Sequence, residues 1–175
     1  MNTIEQGEWS YAPDITLRQT RVSDMPRLQQ IFASARNFMR GSGNPNQWSD
    51  DYPSVELLQS DIESGDSYVV IYQGRVVATF VLRGGIDPTY NVIYGGAWLN
   101  DMPYGTIHRI ASGGELKGVF AIAMSFAEQM YTSIRIDTHR DNRVMQHILE
   151  QNGFTYCGVI HCWNGDERLA FQFCR

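Results

Sequence analysis

The chain of 175 residues has the length of one domain that can bury a hydrophobic core. Hydrophobic residues make up 43% of it and charged residues 19%, a composition that is typical of a globular protein and excludes a disordered chain. The net charge of -5 at pH 7 indicates no general surface for nucleic acid, so we expect no nucleic-acid partner.

The pattern of apolar residues argues against membrane and secreted proteins. No apolar run approaches the roughly 20 residues that a membrane-spanning helix needs, so we expect no membrane partner. The first five residues lack the basic and apolar regions of a secretory signal, which predicts a cytoplasmic protein. The cysteines form no C-x-x-C pair and fall in the last two predicted strands, which favours reduced, half-buried thiols. They are Cys157, Cys162 and Cys174.

The N-terminal part of the chain begins with a polar stretch. Residues 1–14 predict a tail or a loosely docked arm, and residues 15–175 a single domain. Residues 15–18 alternate as a strand does, and Ser23 is placed to cap the helix that follows. That helix has apolar residues at helical spacing, which predicts one buried face up to the glycine-rich break at residues 41–45. The predicted inward positions are Leu28, Ile31, Phe32, Ala35, Phe38 and Met39.

The middle of the chain predicts a helix, a hairpin and a long connection. The helix begins after Pro53 and ends at Gly65. The runs 68–72 and 75–82 are rich in strand-forming residues and predict a tight hairpin. Residues 84–103 form a connection rich in Gly, Tyr and Trp, and connections of this length usually carry a function or small elements of their own.

The last third alternates strands and helices. The predicted strands are residues 106–111, 133–138, 154–161 and 168–173, and the predicted helices are residues 118–131 and the segment that Asp141 or Asn142 caps. The expected inward positions of these helices are Val119, Ile122, Phe126, Met130, Val144, Met145, Ile148 and Leu149. Two strand–helix–strand crossovers predict an α/β fold with a partly parallel sheet and helices on both faces.

A glycine-bearing turn at residues 113–118 leads from a strand into a helix. Free backbone N–H groups at a helix N-terminus bind phosphate oxygens, so the turn is a candidate phosphate site, and an ordinary glycine-rich turn is the alternative. A Walker A loop is excluded because Val119 and Phe120 stand where Lys and Ser or Thr are required.

Other catalytic signatures are missing from the sequence. The His-Arg-Asp of residues 139–141 has no Gly-rich lid or Asp-Phe-Gly partner, so a kinase is excluded, and Asp141 and Asn142 are helix caps at least in part. No Gly-x-Ser-x-Gly elbow exists. The four histidines have no metal-site spacing, and we expect no metal.

Aromatic residues gather in the loop-like middle of the chain. They either pack the loops against the domain or line a pocket, and both can be true. The candidates for an acceptor-side pocket are Trp48, Tyr94, Trp98 and Tyr104.

The turn and the Asn-capped helix together resemble the GNAT N-acetyltransferase superfamily. The resemblance covers roughly residues 15–173 and is strongest over residues 104–172. There, Tyr-Gly-Thr-Ile-His-Arg-Ile, Ile-Arg-Ile-Asp-Thr-His-Arg-Asp-Asn-Arg-Val-Met-Gln and Gln-Asn-Gly-Phe-Thr-Tyr-Cys-Gly are similar to a bacterial branch of small GNAT proteins.

The resemblance implies acetyl-CoA as co-substrate and a mixed, mostly antiparallel sheet. In the family a bulged strand splays from its parallel neighbour, and the pantetheine arm lies in the gap. The bulged strand is then residues 106–112, the turn holds the pyrophosphate, and Asn142 contacts the pantetheine. The implied donor-binding residues are Ile110, Ser112, Leu116, Lys117, Gly118, Val119, Phe120, Asn142 and Met145.

Three residues depart from the family pattern. The turn is Gln/Arg-x-x-Gly-x-Gly/Ala in the family, whereas Glu115 and Phe120 occupy its ends here. Glu115 brings a carboxylate towards phosphates, and Lys117 can offset it. Leu149 stands where many members have a tyrosine that protonates the leaving thiolate.

The family chemistry is direct transfer to an amine, which requires a base. His108 on the bulged strand is the first candidate because histidine exchanges protons near neutral pH, and His139 is the second; a packed strand histidine or a water are the alternatives. We therefore expect an N-acetyltransferase for an amine of a small molecule. A non-catalytic acyl-CoA-binding or regulatory protein, another acyl donor, or a protein N-terminus as acceptor are the alternatives, and a homodimer stays open.

Overall fold

The computed structural model describes residues 2–4 and 7–175, with side chains from residue 7 onward. Within these residues nine strands form one sheet in the order β1-β2-β3-β4-β5-β6-β7-β9-β8. The strands are β1 Asn2–Ile4, β2 Glu8–Ala12, β3 Ile15–Gln19, β4 Ser67–Tyr72, β5 Arg75–Gly84, β6 Gly105–Ser112, β7 Ser133–Thr138, β8 Thr155–His161 and β9 Glu167–Cys174. The helices are α1 Met25–Gly41, α2 Val55–Glu63, α3 Val119–Met130 and α4 Arg143–Gln151.

The pairing confirms the predicted α/β fold with a mixed, mostly antiparallel sheet. Among the strands of the described residues, only β6 and β7 run parallel, and every other neighbouring pair is antiparallel. Apolar residues of α1 and α2 pack in one cluster with Val69 of β4, whereas those of α3 and α4 pack in another with Val70. Because adjacent strand residues point to opposite faces, the helices cover both faces of the sheet.

The parallel pair of strands parts almost as soon as it forms. Register pairs join Gly105 to Ile134 and Thr106 to Arg135, and none follows. The rest of β6 pairs with β5 alone, so a gap opens between β6 and β7. The splayed strand pair implied by the resemblance is therefore present.

The N-terminal segment is more ordered than predicted. Glu8–Ala12 forms β2 beside β3, so the expectation of a tail or loose arm is wrong over these residues. The indole of Trp9 packs edge-on against Phe126 of α3, with the ring centroids 4.8 Å apart. Scattered aromatic residues carried too weak an alternation to show a strand. The placement of residues 1, 5 and 6, which belong to the predicted tail, lies outside the described residues.

Most of the predicted helix faces are correct, but their edges and ends are not. Leu28, Ile31, Phe32 and Ala35 are buried, whereas Phe38 is 61% exposed. Phe38 lies about 80° around the helix from Leu28, at the margin of the stripe. Met130, the last residue of α3, and Val144, in the first turn of α4, are also exposed. The cap of α1 is Asp24 rather than Ser23, after a 3-10 turn at Val22–Asp24.

The long connection between β5 and β6 is folded onto the sheet. It carries a 3-10 turn at Pro88–Tyr90, and Tyr94 forms a two-bond bridge with Val159 of β8, with both N···O distances at 2.8 Å. At Gly96 a Cβ atom would overlap the carbonyl oxygen of Cys157, so a side chain at this position would push the connection off β8.

Among the described residues, none of the helices combines the length and the apolar character that crossing a membrane requires. The same residues contain no group of three or more His, Cys, Asp or Glu side chains placed to hold a metal ion. The three cysteines are free thiols.

Candidate active site

A bulge in β6 shapes the gap between β6 and β7. Thr79 of β5 pairs with Ala111 and Val81 pairs with His108, so β6 carries one residue more than β5 over this interval. Arg109 lies in the bulge with φ at +48°, a left-handed conformation that is uncommon for a residue with a side chain. The surroundings must therefore hold the bulge in place.

A buried carboxylate of α2 holds the bulge. Asp61, 1% exposed, accepts hydrogen bonds from Nε and Nη2 of Arg109 at 2.8 and 2.7 Å, and from Nη2 of Arg83 at 3.2 Å. Burial would lower the pKa of Arg109, but the Tyr52 hydroxyl and Asp61 raise it above its ordinary value. The bidentate pair fixes the side chain of Arg109, and with it the backbone of the bulge.

The turn after β6 offers free amides to an anion. Gly118 caps α3 with φ at +76° and no side-chain cap. Within residues 7–175, the amides of Lys117, Gly118 and Val119 donate to no recorded acceptor. Lys117 and Gly118 are exposed, so these amides and one cationic side chain lie together at the positive end of the α3 dipole.

The two departing side chains of this turn, Glu115 and Phe120, both have partners within the protein. The Glu115 carboxylate forms an ion pair with Arg27 of α1, which balances its charge. The ring of Phe120 is buried in the core against Phe154, with ring centroids 6.0 Å apart, and leaves the turn open. Phe120 can therefore contribute only its backbone to a ligand.

Asn142 caps α4 and also ties down the segment between α1 and α2. Its Oδ1 accepts from the amide of Met145 at 3.0 Å, and its Nδ2 donates to Oε1 of Gln47 at 2.8 Å. The carbonyl oxygen of Gln47 accepts from Arg168 of β9 at 3.3 Å. Gln47 thus links the predicted donor side of the gap to β9.

A cavity of about 600 Å³ lies at the mouth of the gap. Its wall comes from the segment between α1 and α2, the start of the long connection, β6, β7 and the hairpin between β8 and β9. The residues that line it include Trp48, Tyr52, Arg83, Asp87, His108, Arg109, Ile110, Asp137, Asn142, Met145, Cys162, Asp166 and Arg168. A second cavity of about 210 Å³ shares Arg83, Asp87, His108 and Trp163 with it.

His108 is held in this cavity by a carboxylate. Its Nε2 lies 3.0 Å from Oδ2 of Asp87, whose other oxygen accepts from the hydroxyl and the amide of Thr89 at 2.7 and 2.9 Å. Burial raises the pKa of Asp87, but the hydrogen bonds from His108 and Thr89 outweigh it and lower the pKa to about 2. Since Asp87 is ionised, it favours the tautomer with the proton on Nε2, which leaves Nδ1 as an acceptor.

Asp137 lies across the gap from His108. The register pair of Thr106 with Arg135 puts His108 and Asp137, each two residues further, on the same face at the point where the strands part. The hydroxyl of Tyr90 donates to Oδ2 of Asp137 at 2.7 Å. Burial and the charge of Asp137 raise the pKa of Tyr90 well above 10, so the phenol stays a donor.

Several predicted site residues lie elsewhere. Trp48 lines the cavity, whereas Tyr94 stacks on His161 outside it. Trp98 and Tyr104 sandwich the guanidinium of Arg135, with centroid distances of 4.1 and 4.0 Å, and belong to the packing under the long connection.

Two further residues were considered for a part in proton transfer, His139 and Leu149. Nδ1 of His139 accepts from the amide of Asp141 at 3.1 Å, and His139 does not line the cavity. Burial and Arg168 lower the pKa of His139. Leu149 of α4 is fully buried in the core.

The sequence did not point to four residues of the site. Asp61, Asp87, Asp137 and Gln47 lie on four different elements or loops, and only the fold brings them together. The sequence does carry a partial signal for Asp87. The order Asp87-Pro88-Thr89 is typical of a helix start at which the Asp caps the first turn.

Comparison with known proteins supports the fold strongly. An acetyltransferase of the GNAT family from Streptococcus agalactiae 2603 is similar with a TM-score of 0.84 and 29% identity, over 94% of this chain and 98% of that one. A GNAT-family acetyltransferase from Listeria monocytogenes 4b F2365 has a TM-score of 0.67 and 18% identity over 92% and 95%. The ribosomal L7/L12 alpha-N-protein acetyltransferase RimL has a TM-score of 0.62 and 16% identity over 95% and 93%. No protein-family model and no curated protein matches the chain.

Proposed function

Since the chain has the fold of the GNAT acetyltransferases, we propose that it is an N-acetyltransferase that moves the acetyl group of acetyl-CoA to an amine of a small molecule. The carrying observation is the gap between β6 and β7, which opens beside His108 and Asp87 into a cavity of about 600 Å³. The comparisons support acyl transfer from CoA in general. Protein N-acetyltransferases are among the similar structures, so a protein N-terminus is the acceptor to be tested against small amines.

The donor would run from the cavity along β6 to the turn. Ile110, Asn142 and Met145 line the cavity, and Ser112 ends β6 immediately before the turn. The unpaired edge of β6 beyond Thr106 suits a pantetheine arm that pairs with main-chain groups of Ile110 and Ser112. Leu116, Lys117, Gly118, Val119 and Phe120 would surround the pyrophosphate through amides and the Lys117 ammonium.

The transfer needs alignment, charge stabilisation and one proton acceptor. A neutral amine attacks the thioester carbonyl, the N–C bond forms and the C–S bond breaks, and the CoA thiolate that leaves takes up the second proton that the nitrogen loses. His108 would take the ammonium proton on Nδ1 while Asp87 holds Nε2. His139, which caps its own turn outside the cavity, is a weaker choice. Trp48 would contact the acceptor, and the placement of Tyr94, Trp98 and Tyr104 makes them supports rather than contacts.

Leu149 favours a second candidate, a non-catalytic protein that binds acyl-CoA. Its side chain is fully buried and offers no proton to a leaving thiolate. In that case donor binding would occur without turnover of any amine.

Calorimetry and a thiol-release assay separate these functions. Titration with acetyl-CoA and CoA tests the donor site, and an assay with small amines and with N-terminal peptides tests transfer. Thiol release with small amines supports the proposal. Release with peptides alone would mean that the acceptor is a protein N-terminus and not a small amine, and binding without release supports the second candidate. No donor binding at millimolar concentration rejects both.

A matched pair of variants at the turn tests the donor position. Asn and Asp both tolerate the left-handed conformation of Gly118, and they differ by one negative charge. A charge about 5 Å from each phosphate costs about 0.8 kcal/mol per unit charge in water, so we expect Gly118→Asp to bind CoA about tenfold more weakly than Gly118→Asn. Equal CoA affinities of the two variants would place the pyrophosphate elsewhere.

A further inference from the structure

We infer that Asp137 binds the ammonium group of the acceptor, and that the acceptor is an amine without a carboxylate beside its nitrogen. The inference rests on the proposed function and names the substrate class of the same cavity. It follows from the position of Asp137, from its hydrogen bonds and from the state of the cations around the cavity.

Asp137 and His108 lie on opposite sides of the gap between β6 and β7. Asp137 and His108 occupy equivalent places on β7 and β6, on one face, where the two strands part. Both line the cavity at the mouth of the gap. An amine that enters the gap between them meets a carboxylate on one side and a proton acceptor on the other.

Hydrogen bonding leaves Asp137 with unused capacity. Oδ2 accepts from the hydroxyl of Tyr90, and no hydrogen bond from residues 7–175 reaches Oδ1. Asp87, by contrast, uses both oxygens on His108 and Thr89. An ionised carboxylate in a half-buried site is stabilised by a cationic donor, and an ammonium brings three N–H groups.

The charge of Asp137 is felt inside the cavity. Burial, and next the charge of Asp137, raise the pKa of the Cys162 thiol to about 11. Cys162 lines the same wall, so Asp137 and this thiol face the same cavity.

The guanidinium groups around the cavity are already engaged. Arg109 forms its bidentate pair with Asp61, and Arg83 bonds to Asp61 and Asp66. Arg168 donates to the carbonyl oxygens of Glu167 and Gln47 and lies 3.9 Å from Asp166.

The engaged guanidinium groups decide the substrate class. The carboxylate of an α-amino acid would find no unengaged guanidinium on this wall and would stand close to Asp137. A simple alkylamine or arylalkylamine has no carboxylate, so Asp137 attracts its ammonium group and repels no other part of it. The rings of Trp48 and Tyr52 on the same wall suit the apolar part of such an amine.

Binding experiments with substrate pairs test the inference without turnover. Tyramine and tyrosine, and ethanolamine and serine, differ by one carboxylate within each pair, and each is titrated into the protein with CoA present. A hydrogen-bonded charge pair of this kind corresponds to about a ten- to hundredfold change in affinity, so we expect the amine to bind at least about tenfold more tightly than its amino acid.

Two variants and one control separate amine binding from support of the fold. Asp137→Asn keeps an acceptor for Tyr90 but loses the charge, and should weaken amine binding about ten- to hundredfold while changing amino acid binding less. Tyr90→Phe removes the internal hydrogen bond and should keep the preference for the amine. Asp101→Asn removes an exposed carboxylate that does not line the cavity and should change nothing.

Three outcomes would overturn the inference. They are equal or tighter binding of the amino acids, an unchanged preference in Asp137→Asn, and no binding of any member of the pairs. Titration of acetyl-CoA alone judges the donor site, so a failure of this inference is distinct from a failure of the proposed function.

Discussion

The pair of Arg27 and Glu115 allows the donor site to be tested by charge alone. Arg27 lies on α1, donates from Nε to the carbonyl oxygen of Val76 at 2.8 Å, and pairs with Glu115 of the turn. The two side chains are 28% and 36% exposed, so solvent screens them but does not surround them. Arg27→Gln would leave Glu115 as an uncompensated negative charge beside the free amides of the turn.

The expected size of the effect follows from Coulomb's law. At about 6 Å in a water-like medium, one charge pair contributes about 0.7 kcal/mol, and a pyrophosphate with two charges about 1.4 kcal/mol, which is about a factor of ten in the dissociation constant. Arg27→Gln should therefore weaken CoA binding about tenfold. Glu115→Gln, which leaves Arg27 alone, should strengthen it by a similar factor, and the double variant should return to the wild-type affinity.

Calorimetric titration of CoA at low and high salt is the assay. The differences should shrink at high ionic strength because both groups are partly exposed. Arg40→Gln is the matched control, since Arg40 lies on the same helix and pairs with Asp50 away from the turn. Wild-type affinity in Arg27→Gln at low salt, or a double variant that stays weak, would refute the placement of the pyrophosphate near Glu115.

Two further predictions concern the carboxylates of the site. The folded-state pKa of Asp87, about 2 against an ordinary 3.8, predicts a contribution to the free energy of unfolding that is complete above about pH 4 and lost as the pH falls towards 2. This contribution amounts to about 2 kcal/mol. The free energy of unfolding of Asp87→Asn in urea should therefore depend less on pH over that range than the free energy of unfolding of the wild type does. Asp61→Asn leaves the buried guanidinium of Arg109 without its charge partner and should lower the free energy of unfolding by about 3 kcal/mol. Asp66→Asn, at a partly exposed pair with Arg83, should cost under about 1 kcal/mol, and equal losses would show that Asp61 has no special part in holding the bulge.

The sequence allowed the fold to be predicted because periodicity and caps agree over most elements. The hairpin at β4 and β5, the cap at Asn142 and the crossovers through α3 and α4 are all local signals, and the structure has each of them. The errors lie where local pattern does not decide burial: Phe38 at the margin of a stripe, and Met130 at a helix end.

The candidate site was less predictable, for a physical reason. His108 and Trp48 were found because their residue types suggested a role, and both line the cavity. Asp87 and Asp137 are 50 residues apart in the sequence. From the sequence alone, Asp87 looks like an ordinary turn carboxylate and Asp137 like an ordinary carboxylate at the end of a strand. Tyr94 and Trp98 misled because aromatic residues in a connection look the same whether they pack against the sheet or face a ligand.

The early parting of β6 and β7 has a thermodynamic consequence. Within residues 2–4 and 7–175, two register pairs are the only pairing of β1–β6 with β7–β9, apart from the bridge of Tyr94 in the long connection with Val159 of β8. A donor that binds in the gap as proposed would bind only the folded chain, so its binding free energy would add to the free energy of unfolding. At a hundred times the dissociation constant this linkage amounts to about 2.7 kcal/mol. The rise of the melting temperature with CoA concentration would therefore measure the donor affinity without knowledge of the acceptor.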